Sequence, residues 1–367
     1  MNWRDIRNPE AGGSEIYVHS LCKELVRMGH EVSLCSAAFP GASSHEEIDG
    51  VKVSRHGNSN SVYWSFFRKY LTQRPREHHD VVLESINTIP FFTPLYVSEP
   101  VVALIYSIYN RRVLVREMGV TPVVAACWAA STVIPVVYKK ATTITISESS
   151  RKELISFGFK PSKVYVAHPA VDNSFGVLEK ATPKTQRPNT TIIYVGRLKK
   201  YKGIETILQA LSILAASRPI ELLIVGKGDY ESQLRQRVRD MHLNDFVRFC
   251  GFLPEDKKVA ALMRSSVFVC CSIDEGGWTI AGLEALRCGV PLVVTQSQSD
   301  LVVDGVTGFV ARDDRAELVA DKIAAALDGD WLRMSGSARY WSAKYTWEHA
   351  ARTTLEALKS AMVTKPS

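Results

Sequence analysis

None of the seven cysteines, Cys22, Cys35, Cys127, Cys250, Cys270, Cys271 and Cys288, belongs to a C-x-x-C pair, and their number is odd. That excludes a disulfide framework and a dithiol redox motif, and it reads as buried thiols in a reducing compartment. No apolar run of the kind a secretory signal needs follows Met1-Asn2-Trp3-Arg4-Asp5. No G-x-x-x-x-G-K-S/T is present, which excludes a P-loop. Repeats at solenoid periods and low-complexity tracts are absent too. No block of like charge stands out: up to Asp172 there are 19 basic and 16 acidic residues, and the 367 residues together carry a net charge of +7. A nucleic-acid binder gathers its charge on one face, so no nucleic-acid partner is expected. A mild excess of this size suits anionic ligands or an anionic membrane surface. The one long stretch without charge, residues 118–138, contains Pro122 and Pro135. It reads as a buried helix ahead of a membrane span.

What is present alternates. β-prone runs at 32–36, 81–84 and 101–106 in the first half, and at 192–195, 222–225, 246–250, 267–271 and 291–294 in the second, are separated by helical segments. In one of these, Ile204, Ile207, Leu208, Leu211 and Leu214 share a face. Strands alternating with helices imply parallel sheets and right-handed crossovers. One domain per roughly 150 residues suggests two to three domains, and the polar stretch 179–191 reads as the linker. The first half opens oddly. A doubly wound domain starts with a buried strand, yet here a polar opening runs straight into Gly12-Gly13. The first strand is expected to be missing, through a start lying upstream or a poorly folded product.

Four segments carry residue types suited to chemistry. Asn8-Pro9-Glu10-Ala11-Gly12-Gly13-Ser14-Glu15 precedes a helix, where two glycines let backbone N–H groups approach an anion. The plain alternative, of equal weight, is a glycine turn with Ser14 as N-cap. Val195-Gly196-Arg197-Leu198-Lys199-Lys200-Tyr201-Lys202-Gly203 follows a buried strand. Cations clustered at the carboxyl end of a strand suit a di- or triphosphate, against the alternative of a solvated loop. Val225-Gly226-Lys227-Gly228-Asp229 holds a G-x-G, but Glu231 stands at the third glycine position, so a dehydrogenase is rejected. In Asp274-Glu275-Gly276-Gly277-Trp278 the glycines beside acids suggest a loop that lays N–H groups on a ligand. Glu284, about a turn inside the next helix, can accept from vicinal hydroxyls. Its alternative is a helix-dipole partner worth about 0.3–1 kcal/mol. Asp328-Gly329-Asp330 reads as a turn.

Together these segments resemble the family 4 retaining glycosyltransferases. The resemblance rests on Arg197 and Lys202 after a strand, on Gly226 and Gly228, on the loop and helix carrying Glu275 and Glu284, and on Gly12-Gly13-Ser14-Glu15. Residues 302–309 resemble a late hairpin of that family, and Trp347 its closing helix. The likeness spans nearly the whole chain. It implies an α/β GT-B architecture of two Rossmann-like domains facing a cleft, here with the first N-terminal strand missing. The implied division is an acceptor domain over 1–180, a nucleotide-sugar-binding domain over 190–345 and a helix over 346–367 crossing back to the first domain. The implied reaction moves a hexosyl unit, with retention, from a nucleotide-diphosphate sugar to an acceptor hydroxyl. By the same carry-over, Arg197 and Lys202 bind the diphosphate and stabilise the leaving group. Glu275 and the amides of Gly276 and Gly277 hold the donor sugar and a phosphate, and Glu284 holds the ribose. Gly226 belongs to the donor site, 251–253 lies beside the base, and Gly12 and Gly13 close the phosphate site. No metal and no cofactor are implied, because two fixed cations stabilise charge on a departing phosphate. The implied partner is a glycan or lipid-linked acceptor in cell-surface glycan or glycolipid synthesis, placing the protein in the cytoplasm at the inner face of the membrane.

Two departures from the family pattern are visible. Glu275 and Glu284 are separated by eight residues where the family has seven, and Tyr106 stands where many members carry a histidine. Tyrosine donates well to a sugar hydroxyl, but a pKa near ~10 makes it a poor base. With the missing strand, these features motivate a rival: a degenerate GT-B protein that binds nucleotide or a glycan-enzyme partner without turnover. Arg68, Lys69, Arg74 and Arg76 lie beside Tyr63, Trp64, Phe66 and Phe67. That stretch reads first as a solvated helix with a buried face, and second as a peripheral contact with an anionic membrane. His78-His79-Asp80 reads as a surface turn and His168 as structural.

Overall fold

The computed structural model describes residues 1–73, 79–87, 89–108, 129, 132–171, 190–272 and 277–363. They form two compact units. One holds the described residues up to 170 together with those from 346 onward, and the other holds those from 171 to 345.

In the first unit, helix α1 (Gly13–Arg27) buries Tyr17, Val18, Leu21 and Leu25, a spacing that keeps one face on the core. Strand β1 (Ser33–Ser36) pairs in parallel with β3 (Val51–Arg55), which pairs antiparallel with β2 (His45–Ile48). Asp49 and Gly50 both have positive φ, 52° and 79°, the backbone that a two-residue hairpin requires. After α2 (Val62–Gln73), strands β4 (Val82–Ile86), β5 (Val101–Ile105), β6 (Thr142–Thr145) and β7 (Val164–Val166) form a second, parallel sheet in that order. Helix α3 (Glu148–Ser156) links the last two and is capped by Ser147, whose hydroxyl accepts from the Ser150 N–H at 3.0 Å. Of the uncharged stretch, 132–138 is helical, with Ile134 and Tyr138 buried and Val136 69% exposed. No helix among the described residues is long and apolar enough to cross a membrane.

Among the described residues no strand precedes α1. The backbone of residues 1–3 runs beside β1 and β4 instead. Asn2 N–H donates to Cys35 O (3.0 Å) and Ala37 N–H to Trp3 O (3.1 Å), while Ser85 N–H donates to Met1 O (2.9 Å) and the Met1 ammonium to Leu83 O (2.7 Å). The following segment is held by a buried ion pair. The Arg55 Nε and Nη2 donate to the two oxygens of Asp5 at 2.8 and 2.9 Å, with side-chain exposures of 1% and 0%. Burial pushes the Asp5 carboxyl up, but the Arg55 guanidinium, the Arg7 amide and the Ser36 hydroxyl together hold it below its ordinary value.

The second unit is a single sheet of six strands, all parallel: β8 (Thr191–Val195), β9 (Glu221–Val225), β10 (Val247–Gly251), β11 (Val267–Cys270), β12 (Leu292–Thr295) and β13 (Gly308–Ala311), in the order β10-β9-β8-β11-β12-β13. Counted within the unit this is 3-2-1-4-5-6, a doubly wound topology. Helices α4 (Ile204–Ala215), α5 (Glu231–Asp240), α6 (Glu255–Arg264), α7 (Ile280–Arg287), α8 (Ala316–Asp328) and α9 (Trp331–Ser342) accompany it. The face made by Ile204, Ile207, Leu208, Leu211 and Leu214 is buried. Residues 302–309 are not a hairpin. They turn through Gly305, whose N–H donates to Gly308 O at 2.8 Å, into a strand parallel to β12. Gly308 permits this at φ 149°, since a Cβ there would stand 2.0 Å from Leu292 O.

Helix α10 (Trp347–Val363) belongs to the first unit, where Trp347, Ala350, Ala351, Thr354, Ala357, Leu358 and Ala361 are buried. The Trp347 ring meets that of Tyr17 at 5.8 Å.

Candidate functional site

Open parallel sheets take ligands at the carboxyl ends of their strands, where the strand order reverses. In the second unit that point lies between β8 and β11. The loop leaving β8 carries Arg197, which is exposed, and Lys202, which is half-buried with its ammonium 5.0 Å from the Tyr201 ring centre. Lys199 pairs with Asp229 at 2.6 Å. Lys200–Lys202 form one turn of 3-10 helix, closed by Gly203 at φ 65°. A Cβ on Gly203 would lie 2.1 Å from Cys271 O, just beyond β11, so the β8 and β11 loops touch through backbone.

The G-x-G after β9 is a packing device of the same kind. A Cβ on Gly226 or Gly228 would lie 1.9 Å from Gly196 O or 2.0 Å from Leu198 O. The Leu198 N–H donates to Lys227 O at 2.9 Å and the Gly226 N–H to Gly251 O at 2.8 Å. The loops after β8, β9 and β11 and the last residue of β10 therefore meet at one sheet edge.

Of the segment after β11, Glu275 and Gly276 lie outside the described residues. Gly277 adopts φ 77°, and its N–H already donates to Ser297 O at 2.8 Å. The next residue, Trp278, is 4% exposed. It stacks on Trp341 at 6.3 Å and meets Tyr345 edge-on at 4.7 Å, which anchors the return of the loop into α7. Nothing in the sequence assigns Trp278 a role; an aromatic directly after two glycines was the available signal. Glu284, the fifth residue of α7, is 8% exposed and accepts from Lys258 Nζ of α6 at 2.7 Å. That ion pair takes the place of a helix-dipole partnership. Lys258 went unnoticed in the sequence because its partner stands 26 residues away.

In the first unit the N-cap of α1 is Gly12, and Ser14 lies inside the helix. The Gly12 N–H donates to Glu15 Oε2 at 2.7 Å and the Ser14 hydroxyl to the same oxygen at 3.0 Å. Glu15, 5% exposed, thus places the chain's own carboxylate at this helix start, the reach-back half of a capping box. The Tyr106 hydroxyl donates to Ser14 O and lies against Ser85 Oγ, both at 3.3 Å, so Tyr106 stands beside the glycine turn. Asp328, the last residue of α8, takes Arg218 through two bonds of 2.8 and 2.9 Å, and Asp330 caps α9, so Asp328-Gly329-Asp330 is the junction of two helices. Among the described residues no group of three His, Cys, Asp or Glu is placed to hold a metal ion. His168 Nδ1 lies 3.0 Å from Ile146 O. His79 and Asp80 are exposed, and His78 lies outside the described residues.

Comparison with known proteins meets this geometry. The family model "Glycosyltransferase Family 4" matches residues 11–175 and "Glycosyl transferases group 1" matches residues 179–344. The chain is 26% identical to the D-inositol 3-phosphate glycosyltransferase of Pseudarthrobacter chlorophenolicus, over 96% of this chain and 91% of that protein. It is 24% identical to the GDP-mannose:cellobiosyl-diphosphopolyprenol alpha-mannosyltransferase of Xanthomonas campestris, over 61% and 60%. In fold it is similar to sucrose-phosphate synthase from Thermosynechococcus elongatus, with a TM-score of 0.79 over 99% of each chain at 17% identity. A doubly wound second unit, cationic and glycine loops gathered at its switch point, and family matches over both halves make the chain a family 4 glycosyltransferase of GT-B fold.

Proposed function

We propose that this chain is a retaining, metal-independent hexosyltransferase. It takes a nucleotide-diphosphate sugar and passes the hexosyl unit to a hydroxyl of a glycan or lipid-linked acceptor, in cell-surface glycan or glycolipid synthesis. The observation that carries the reading is the meeting of the loops after β8, β9 and β11 with the end of β10, with Arg197 and Lys202 on the first of them. Breaking the bond between the anomeric carbon and the phosphate oxygen develops positive charge on the sugar and negative charge on the departing diphosphate. Fixed cations stabilise the second of these without reorganising at the moment of reaction. On this reading Arg197 and Lys202 hold the diphosphate, Glu284 the ribose and residues 251–253 the base. Glu275 and Gly276 take the donor sugar, and Gly277 contributes its turn rather than its committed amide. Gly226 contributes packing, and Gly12, its N–H committed to Glu15 Oε2, contributes a helix cap rather than an amide.

The mannosyltransferase relative is named for a diphosphopolyprenol-linked acceptor, which supports a lipid-linked acceptor here. Helix α2 supports a peripheral membrane contact. Val62, Tyr63 and Phe66 turn inward toward Phe91, but Trp64 and Leu71 are 68% and 55% exposed, beside Arg68 and Lys69. An uncovered apolar stripe bordered by cations suits an anionic lipid surface. Co-sedimentation with vesicles containing anionic lipid should be weakened in Trp64→Ser; no binding by the unaltered chain would remove the membrane from the reading.

The central test is donor hydrolysis. The chain is incubated with sugar conjugates of UDP, GDP and ADP, and nucleoside diphosphate release is followed without acceptor. Release with one base family is expected. Product from a full transfer should keep the anomeric configuration of the donor by NMR. Lys202→Ala should lower turnover at least ~tenfold, a barrier increase of ~1.4 kcal/mol, with the fold intact. Nucleotide binding without release from any donor would favour the non-catalytic alternative.

A further inference from the structure

Glu284 is the only acid on α7, and it lies past the first turn, where the helix dipole no longer favours a negative charge. A carboxylate at 8% exposure needs a compensating partner, because desolvating an unpaired charge is costly. One such partner is on α6. Lys258 Nζ donates to Glu284 Oε1 at 2.7 Å, and the side chains are 19% and 11% exposed. Helix α6 begins four residues after Gly251, which ends β10 and accepts the Gly226 N–H. The ammonium that holds Glu284 therefore belongs to the helix that follows residues 251–253.

We propose that Lys258 is a positioning residue for nucleotide recognition: by holding Oε1 of Glu284 it fixes the plane of the carboxylate that receives the ribose hydroxyls. It does so through Glu284 and not by touching the nucleotide. The inference rests on the ribose role given to Glu284 above. A carboxylate is acceptor-only, with lone pairs on both oxygens, and so matches two vicinal hydroxyl donors. Two donors are met together only if the carboxylate does not rotate, and an ammonium anchored on a neighbouring helix prevents that rotation. A lysine that merely pinned α6 to α7 would affect every ligand of the site alike. A lysine that orients Glu284 would affect only ligands carrying the hydroxyl that Glu284 receives.

The experiment is titration calorimetry of the full chain with UDP, GDP and ADP, followed by the 2′-deoxy analogue of whichever binds most tightly. Hydrogen bonds to a charged group support a preference of about tenfold or more for the ribonucleotide. Lys258→Met is expected to weaken ribonucleotide binding about tenfold and leave the 2′-deoxy analogue within about twofold of its original affinity, so that the preference collapses. Lys258→Arg should restore most of it. If Lys258→Met fails to fold, Lys258→Gln gives the same ratio test. A preference that survives in the neutral variant, or an equal loss for both nucleotides, overturns the inference while leaving the ribose role of Glu284 standing. A preference that survives in Glu284→Gln, or its absence in the unaltered chain, removes the ribose role and this inference with it. Binding of none of the three nucleotides would remove the donor site itself and take the inference with it.

Discussion

In the second unit six parallel strands share one sheet, and β11 and β12 are buried at every position. In the first unit the strands are split between β2-β3-β1 and β4-β5-β6-β7, and the backbone of residues 1–3 hydrogen-bonds to β1 on one side and β4 on the other. The second unit holds itself with aliphatic contacts, many and individually small, and seats its loops by backbone approach at Gly203, Gly226 and Gly228. The first adds a few buried polar ties to an apolar cluster that includes Ile86, Ile105, Leu154 and Phe159. Besides Asp5–Arg55, Glu84 accepts from the Tyr138 hydroxyl at 2.7 Å, the Thr93 N–H at 3.2 Å, the Thr93 hydroxyl and the Phe91 N–H. Burial raises the Glu84 pKa; those donors oppose the rise without cancelling it. The contrast teaches where each unit is fragile. A sheet packed by many apolar contacts loses little from any one of them, whereas a buried charge left unpaired is destabilising at once.

The strongest way to break the contrast is to delete residues 346–367. Helix α10 buries seven side chains in the first unit. Its removal should abolish amide-exchange protection across β4–β7 while leaving β8–β13 protected. Loss of protection in both units would show that they do not stand separately.

Arg55→Ala comes next. It strands Asp5, 0% exposed, without its cation, and should cost the first unit about 3–5 kcal/mol, with the urea midpoint of the second unchanged. A loss below about 1 kcal/mol would mean that the pair does not hold the opening segment. Its pH dependence sharpens the test. The folded pKa of Asp5 lies below the ordinary value of 3.8, so its contribution is complete above that value and is lost as the pH falls through the depressed one. In Arg55→Ala the guanidinium no longer lowers the Asp5 pKa while burial still raises it, so this acid-side loss of stability should shrink.

The smallest of these effects belongs to the second unit. Gly203→Ala forces a Cβ to within 2.1 Å of Cys271 O at φ 65°. About 1–3 kcal/mol is expected for such overpacking, together with weaker nucleotide binding, while the first unit keeps its midpoint. An unchanged midpoint in the second unit would show that the β8 and β11 loops separate at no cost.

Much of the second unit was legible because parallel strands covered on both faces read as continuous apolar runs, as at 222–225 and 267–270. The hairpin of β2 and β3 was missed although Asp49-Gly50 marked it, since His45-Glu46-Glu47-Ile48 shows little alternation to flank the turn. The resemblance of residues 302–309 to a late hairpin leaves the partner strand open, and Gly308–Ala311 pairs in parallel with β12. Ser14 as N-cap was one of two equal readings of the glycine turn, because a glycine has no side chain to advertise itself. The cap is Gly12, and its amide is met by Glu15.

By itself the sequence determined an α/β protein with buried strands, a cationic loop carrying Arg197 and Lys202 after one of them, and glycine pairs in the turns that lead into helices. These are properties of short segments, set by local periodicity, burial and allowed φ. The tertiary structure alone decided the strand order that puts a switch point between β8 and β11, the seating of Gly203 on Cys271 O and of Gly226 on Gly196 O, and the pairing of Lys258 with Glu284. Those depend on how segments tens of residues apart are close-packed against one another, and no window of the sequence contains both partners.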